Sequence, residues 1–222
     1  MEVHVSDAIC GLIPGFTLGI MEYQDVQIGE SPQMLKGRLQ LFQESIYFDL
    51  LDKNVTELEG IKEWRGIFKT TGKDPNRYRH SAEALYRRIA KQNYLQSIHS
   101  AIDLNNFFSL EYQVPIGIYD SDKLQGPITI KIGEENEEYA GLNGRANNLA
   151  NLIVTADASG PFGSPFVDSE RTAVTEETRN ALQIVYLRPS SPLLDKEKMT
   201  ASLMNMFTQI HGGTGTYRLT GC

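Results

Sequence analysis

The chain predicts a mixed α+β domain. Helical apolar spacing marks both of its ends, strand-like runs fill its middle, and its composition suits a packed interior. Of 222 residues, 41% are hydrophobic and 22% charged, which supplies a core and excludes wholesale disorder. The 19 Gly and 9 Pro follow no period, so collagen-like and low-complexity readings fail.

Residues 1–30 alternate weakly and read as strands around the Pro14-Gly15 turn. After Ser31-Pro32, Leu35, Leu39, Phe42, Ile46 and Leu50 recur at steps of three and four, the stripe of an amphipathic helix. A second helix over Val55 to Thr70 buries Leu58, Ile61 and Ile67/Phe68 and stops near Gly72; Ser81 reads as the N-cap of a third. A short helix from His99 towards Leu110 turns Ile98, Ile102 and Leu110 inward. After Pro115 the pattern changes to strands at 116–119, 128–132, 151–155 and 178–187, separated by Gly, Asp and Asn turns. A last helix follows Pro192, carries Met199, Leu203, Met206 and Ile210 on one face, and ends at Gly212-Gly213. The expected organisation is an N-terminal strand and helix arm, residues 1–60, packed on a main domain, 61–222.

The N-terminal apolar stretch, residues 8–21, has no preceding Lys or Arg and is broken by Pro14 and three glycines, which argues against a secretory signal. No run approaches the roughly 20 apolar residues of a membrane span. The two cysteines, Cys10 and Cys222, are too few for a disulfide framework or a cysteine metal site, and Cys10 reads as a buried small residue. The expectation is a soluble protein of a reducing, cytoplasmic compartment.

Net charge is −7, yet the segment from Lys62 to Lys91 holds nine basic residues against three acidic ones. A patch of +6 on an acidic body is compatible with nucleic-acid phosphates, with Lys69, Lys73, Arg77, Arg79, Arg87 and Arg88 as its contacts. The competing reading, favoured from charge alone, is a pair of solvated helices whose arginines pair with acids.

Most catalytic motifs are missing. The four His have no metal-ligand spacing, Gly212-Gly-Thr-Gly215 lacks the Lys-Ser/Thr of a phosphate loop, and Asp120-Ser-Asp122 reads as a turn. The dense segment is Asp157 to Thr178, which follows a strand and concentrates Ser, Thr, Asp and Arg among glycines. It reads equally as a site and as a long polar loop closed by its own turns.

Four pieces in order carry a resemblance: Leu95 to Leu110 with Asp103, Asn105 and Asn106; Pro115-Ile-Gly-Ile-Tyr119-Asp120; Leu142-Asn-Gly144; and Val154-Thr-Ala-Asp157. Together they resemble the tRNA-binding and editing B3/B4 domain of the phenylalanyl-tRNA synthetase β subunit, over roughly residues 60 to 190. The resemblance implies a three-layer domain with a β-sandwich of unusual topology, tRNA or aminoacyl-tRNA as partner, no DNA or membrane, and no cofactor or metal. In the synthetase this module hydrolyses tyrosine wrongly attached to the phenylalanine tRNA. At 222 residues the chain has no room for a synthetase core and looks like a freestanding relative.

Carried onto this sequence, the resemblance implies a pocket lined by Asn105, Tyr119, Asp157, Ser164 and Arg171. Asp168, Ser169, Thr172 and Gln183 are its candidates for catalysis. Three features depart from the family: its His in Pro-x-His-x-Phe-Asp is Gly117 here, its Gly-Val-Met-Gly-Gly loop is replaced by Gly163 to Ser169, and its Glu on the following strand aligns with Gln183. Gln cannot offer a charge to an ammonium group, and Asp168 could supply it. Three readings stay open at this point: a deacylase of mischarged tRNA acting in trans, a non-catalytic RNA- or amino-acid-binding module that keeps the pocket, and a new reaction on an amino-acid-like ester or amide.

Overall fold

A computed structural model describes residues 1–222. The chain opens with strand β1 (Val3–Val5), a short helix α1 (Asp7–Leu12) and a Pro14-Gly15 turn into strand β2 (Thr17–Gln24). Three helices follow: α2 (Gln33–Asp49), α3 (Glu59–Thr71) and α4 (Ser81–Ile89). Helix α3 stops at Gly72, whose φ of 94° suits the left-handed C-cap that glycine adopts without strain. Helix α4 is capped by His80, which accepts the Glu83 N–H at 3.4 Å; Ser81, expected as the cap, is the first helical residue. Helix α5 (Ser100–Tyr112) is likewise capped by a histidine, His99.

The second half is strand-rich: β3 (Ile116–Asp120), β4 (Ile128–Ile132), β5 (Glu138–Ala140), β6 (Ala146–Asn148), β7 (Ile153–Asp157), β8 (Gly160–Gly163) and β9 (Ala181–Tyr186). Helix α6 (Leu193–His211) and strand β10 (Thr214–Gly221) complete the chain. One sheet has the order β1-β4-β7-β8 and a second β10-β2-β9-β3, while β5 and β6 form a separate hairpin. The first 60 residues, read as an arm, thus supply β1 to one sheet and β2 to the interior of the other.

Strand β9 shows why three layers form. All six of its residues are buried. Leu182, Ile184 and Tyr186 face the first sheet, in a core with Ile128, Ile130, Val154 and Phe162. Ala181 and Val185 face helices α5 and α6, in a core with Leu104, Phe108, Leu203 and Phe207. Period-2 alternation with both faces apolar is the signature of a central strand layer. The result is sheet on sheet on helices, the expected sandwich, with a smaller core among α2, α3, α4 and α5.

Three local expectations are corrected. The two cysteines do pair: Cys10 and Cys222 form a disulfide across 212 positions and tie α1 to the end of β10. A pair needs only two thiols brought within reach by the fold, and the count of two permitted that all along. Ile98, expected inward, is 69% exposed, because it precedes the helix and sits on a cavity rim. The glycines after α6 end the helix as expected, but lead into β10, whose alternation is too polar to read as a strand. No helix is long and apolar enough to cross a membrane.

Candidate functional site

Strand β3 is the edge of its sheet, and the long segment after β8 closes over that edge. Tyr119 bridges to Ala173 and Gly141 to Ser169. Between this segment, β3 and the start of α5 lies a cavity of about 380 Å³. Its walls are Ile98, Ile102, Ile116, Ile118, Leu142, Ala173 and Val174; its polar groups are His99, Asn105, Asn106, Asp168 and Ser169. An apolar cavity with a few convergent polar groups is the usual form of a small-molecule site.

Asp168 is the chemically loaded group. Its Oδ1 accepts the Tyr119 hydroxyl at 2.8 Å and the Ser164 backbone N–H at 3.3 Å. Withdrawal from water pushes its carboxyl up to about 7, although both hydrogen bonds pull the other way. Tyr119 is fully buried, and two glycines make room for it. A Cβ on Gly117 would stand 2.1 Å from the Tyr119 hydroxyl oxygen, and one on Gly163 2.2 Å from it. The same Cβ on Gly117 would lie 3.1 Å from Asp168 Oδ2. Gly117 therefore leaves the space that Tyr119 needs to reach Asp168, and a histidine at that position would collide with this arrangement.

A second group of hydrogen bonds sits behind the cavity. Tyr23 donates to Gln183 Oε1 at 2.7 Å, and Gln183 Nε2 donates to Asn105 Oδ1. Gln183 is fully buried, so both ends of its amide are occupied and it does not reach the cavity. Fixing Gln183 fixes Asn105, whose Nδ2 is left as the amide's remaining donor at the cavity wall. His99 accepts the Ile102 N–H through Nδ1 at 3.4 Å, which leaves Nε2 as its other ring nitrogen. Burial holds the His99 imidazolium below its ordinary range, keeping the ring neutral. The rim segment before α5 is anchored by buried Asp103, which accepts the Ser31 hydroxyl at 2.6 Å and the Ile98 N–H at 3.0 Å.

Of the residues singled out in the sequence, Asn105, Asp168 and Ser169 line this cavity. Tyr119 and Ser164 hold Asp168 from behind, the Ser164 hydroxyl being engaged with Val167 O at 3.0 Å. Asp157 and Arg171 lie elsewhere and pair with each other, Nη2 to Oδ1 at 2.8 Å. Ser169 Oγ accepts the Arg171 N–H at 3.2 Å, and Thr172 Oγ1 is buried without a partner. His99, Asn106 and the aliphatic walls escaped the sequence reading. His99 had one legible signal, its place at the start of the Asp103-Asn105-Asn106 helix.

The basic segment divides. Glu83, fully buried, takes Arg65 at 2.9 Å and Arg87 at 2.8 Å, so these two follow the paired-helix reading. Lys73 is mostly buried, with Nζ 4.1 Å from the Tyr78 ring centroid. Lys69, Arg77, Arg79 and Arg88 are exposed and make no salt bridge. The segment touches the loop that carries Asp168: Tyr78 packs edge-on against Phe166 at 5.6 Å, and the Ser81 N–H donates to Pro165 O at 2.8 Å.

Comparison with known proteins places this architecture. The model of the B3/4 domain matches residues 63–197. The chain belongs to the B3/4 domain family. A relative is the uncharacterized protein YhzB of Bacillus subtilis, 34% identical over 216 residues that cover 97% of this chain and 98% of the relative. The phenylalanine–tRNA ligase β subunit of Fusobacterium nucleatum is 31% identical over 100 residues, 44% of this chain and 12% of the subunit. The chain thus spans about an eighth of the ligase subunit it matches, and the whole of a freestanding relative. An N-terminal fragment of the phenylalanyl-tRNA synthetase β subunit from Pyrococcus horikoshii aligns with 100% of this chain and 54% of its own length. That alignment has 17% identity and a TM-score of 0.48.

Proposed function

We propose that this B3/4 protein binds the aminoacylated end of tRNA and hydrolyses the aminoacyl ester in trans. The observation that carries the reading is Asp168, a carboxyl near neutrality in an apolar cavity, with Oδ1 held and Oδ2 free of protein partners. A group that titrates near the working pH is suited to proton transfer. Asp168 accepts a proton from water as its oxygen attacks the ester carbonyl. The bond to the terminal ribose oxygen then breaks, and the proton passes to that oxygen. Asn105 Nδ2 is placed to donate to the carbonyl oxygen as charge develops there. The aliphatic walls receive the amino-acid side chain, and exposed Lys69, Arg77, Arg79 and Arg88 meet tRNA phosphates. Arg87 and Lys73 take a lesser share, one paired and the other mostly buried.

A second reading is supported by a specific feature. Ser164 spends its hydroxyl on the loop itself, and Thr172 is buried. Ser169, at the cavity wall, accepts the Arg171 N–H and is hydrogen-bonded to no base, so the cavity holds no paired nucleophile and base. A binding module that keeps the pocket without turnover would look the same. Deacylation of a panel of mischarged tRNAs, wild type against Asp168→Asn, separates the two. The first reading expects hydrolysis that the variant loses; no hydrolysis by folded wild-type protein favours the second.

A further inference from the structure

Helix α2 carries two apolar stripes. The inner one is buried: Leu39 and Ile46 in the small helical core, and Leu35 in the core shared with α5 and α6. The outer one has no partner: Met34 is 62% exposed, Leu41 68% and Phe48 66%. Their spacing of seven residues puts them on one line along the helix. A single exposed leucine needs no explanation, but three large apolar side chains in register on one helix face do. The stripe lies outside residues 63–197, which the B3/4 family model matches, and it shares no residue with the cavity above.

The sequence of this face is complementary to itself. Laid against a second α2 running the opposite way, with Leu41 on the two-fold axis, Met34 meets the other copy's Phe48. Gly37 meets Ser45, Arg38 meets Glu44, and Gln33 meets Asp49. Every pairing is favourable: large apolar with large apolar, small with small, cation with anion, and an amide donor with a carboxylate. Gly37 has open space around its Cα, and with Ser45 it lets the two helices approach closely. The contact line from Met34 to Phe48 is about 21 Å at 1.5 Å per residue. A foreign partner would not require such symmetry, whereas a two-fold contact does.

We propose that the outer face of α2 is a homodimer interface, in which two copies pack α2 against α2 antiparallel about Leu41. Sedimentation of the full chain at micromolar concentrations tests it. The expected result is a dimer for wild type and a monomer with an unchanged circular-dichroism spectrum for Leu41→Glu. Arg38→Glu weakens the dimer, and adding Glu44→Arg restores it. The register has its own test under mild oxidation, which does not depend on the charged variant. Leu41→Cys crosslinks to its own copy across the axis, while Ser45→Cys does not, because the two positions 45 sit about 12 Å apart along the pair. A wild-type monomer, a dimer indifferent to Leu41→Glu, or a Ser45→Cys crosslink without a Leu41→Cys one overturns the proposal.

Discussion

Replacing Asp168 by Asn keeps the shape of the side chain and removes its charge. In the folded protein the carboxyl titrates at about 7 against an ordinary value of 3.8. Below pH 4 the group is protonated whether the chain is folded or not, and wild type and variant keep a constant difference. Between pH 4 and 7 the unfolded chain ionises while the folded one holds its proton, so wild type loses stability relative to the variant as pH rises. Above 7 both states are ionised and the difference is constant again. Three pKa units at 1.36 kcal/mol each set the span at roughly 4 kcal/mol, as an upper figure. Asparagine can still accept the Tyr119 hydroxyl and the Ser164 N–H, so no new unpaired group offsets the gain. Urea unfolding of both proteins from pH 4 to 9 measures it. A variant no more stable than wild type at pH 8 than at pH 4 would refute the account of Asp168 as a charge held in a poorly solvated place.

Three more predictions follow from particular contacts. Gly117→Ala drives a methyl into the Tyr119 hydroxyl and lowers stability by about 1–3 kcal/mol; combining it with Tyr119→Phe recovers part of the loss in thermal unfolding. Gln183→Leu strands the Tyr23 hydroxyl and the Asn105 carbonyl, at about 1–3 kcal/mol for each orphaned group, read by urea midpoint. Lys69→Glu with Arg88→Glu weakens tRNA binding and flattens its salt dependence by about 0.7–0.9 per lost phosphate contact; an unchanged slope in a filter-binding titration removes the patch from the interface.

The helices and the central strands were legible because their periodicity is local. Leu35 to Leu50 announced α2, and Ile128 to Ile132 announced β4, with nothing needed from elsewhere. Strand β10 was not legible: Thr214 to Gly221 alternates without large apolar residues and is a strand because β2 offers it an edge. The Cys10–Cys222 pair failed for the same reason, since only the fold brings the two ends of the chain together. In the site, Asp168 stood out as a charged residue in a dense loop, but Asp157 and Arg171 in the same segment are charged too. Sequence could not tell a salt bridge from a pocket. Gln183 was found at the right place and given the wrong surroundings, because Tyr23, 160 positions away, takes up half of its amide. The self-matching outer face of α2 was in the sequence throughout, hidden behind the stronger inner stripe.

The most direct test of the account is the pH dependence of single-turnover deacylation on a mischarged tRNA that wild type hydrolyses. With Asp168 as the base, the rate rises about tenfold per pH unit below 7 and levels off above it, and Asp168→Asn abolishes both the rate and the profile. A rate that Asp168→Asn leaves intact, or one flat from pH 5 to 8, would contradict it.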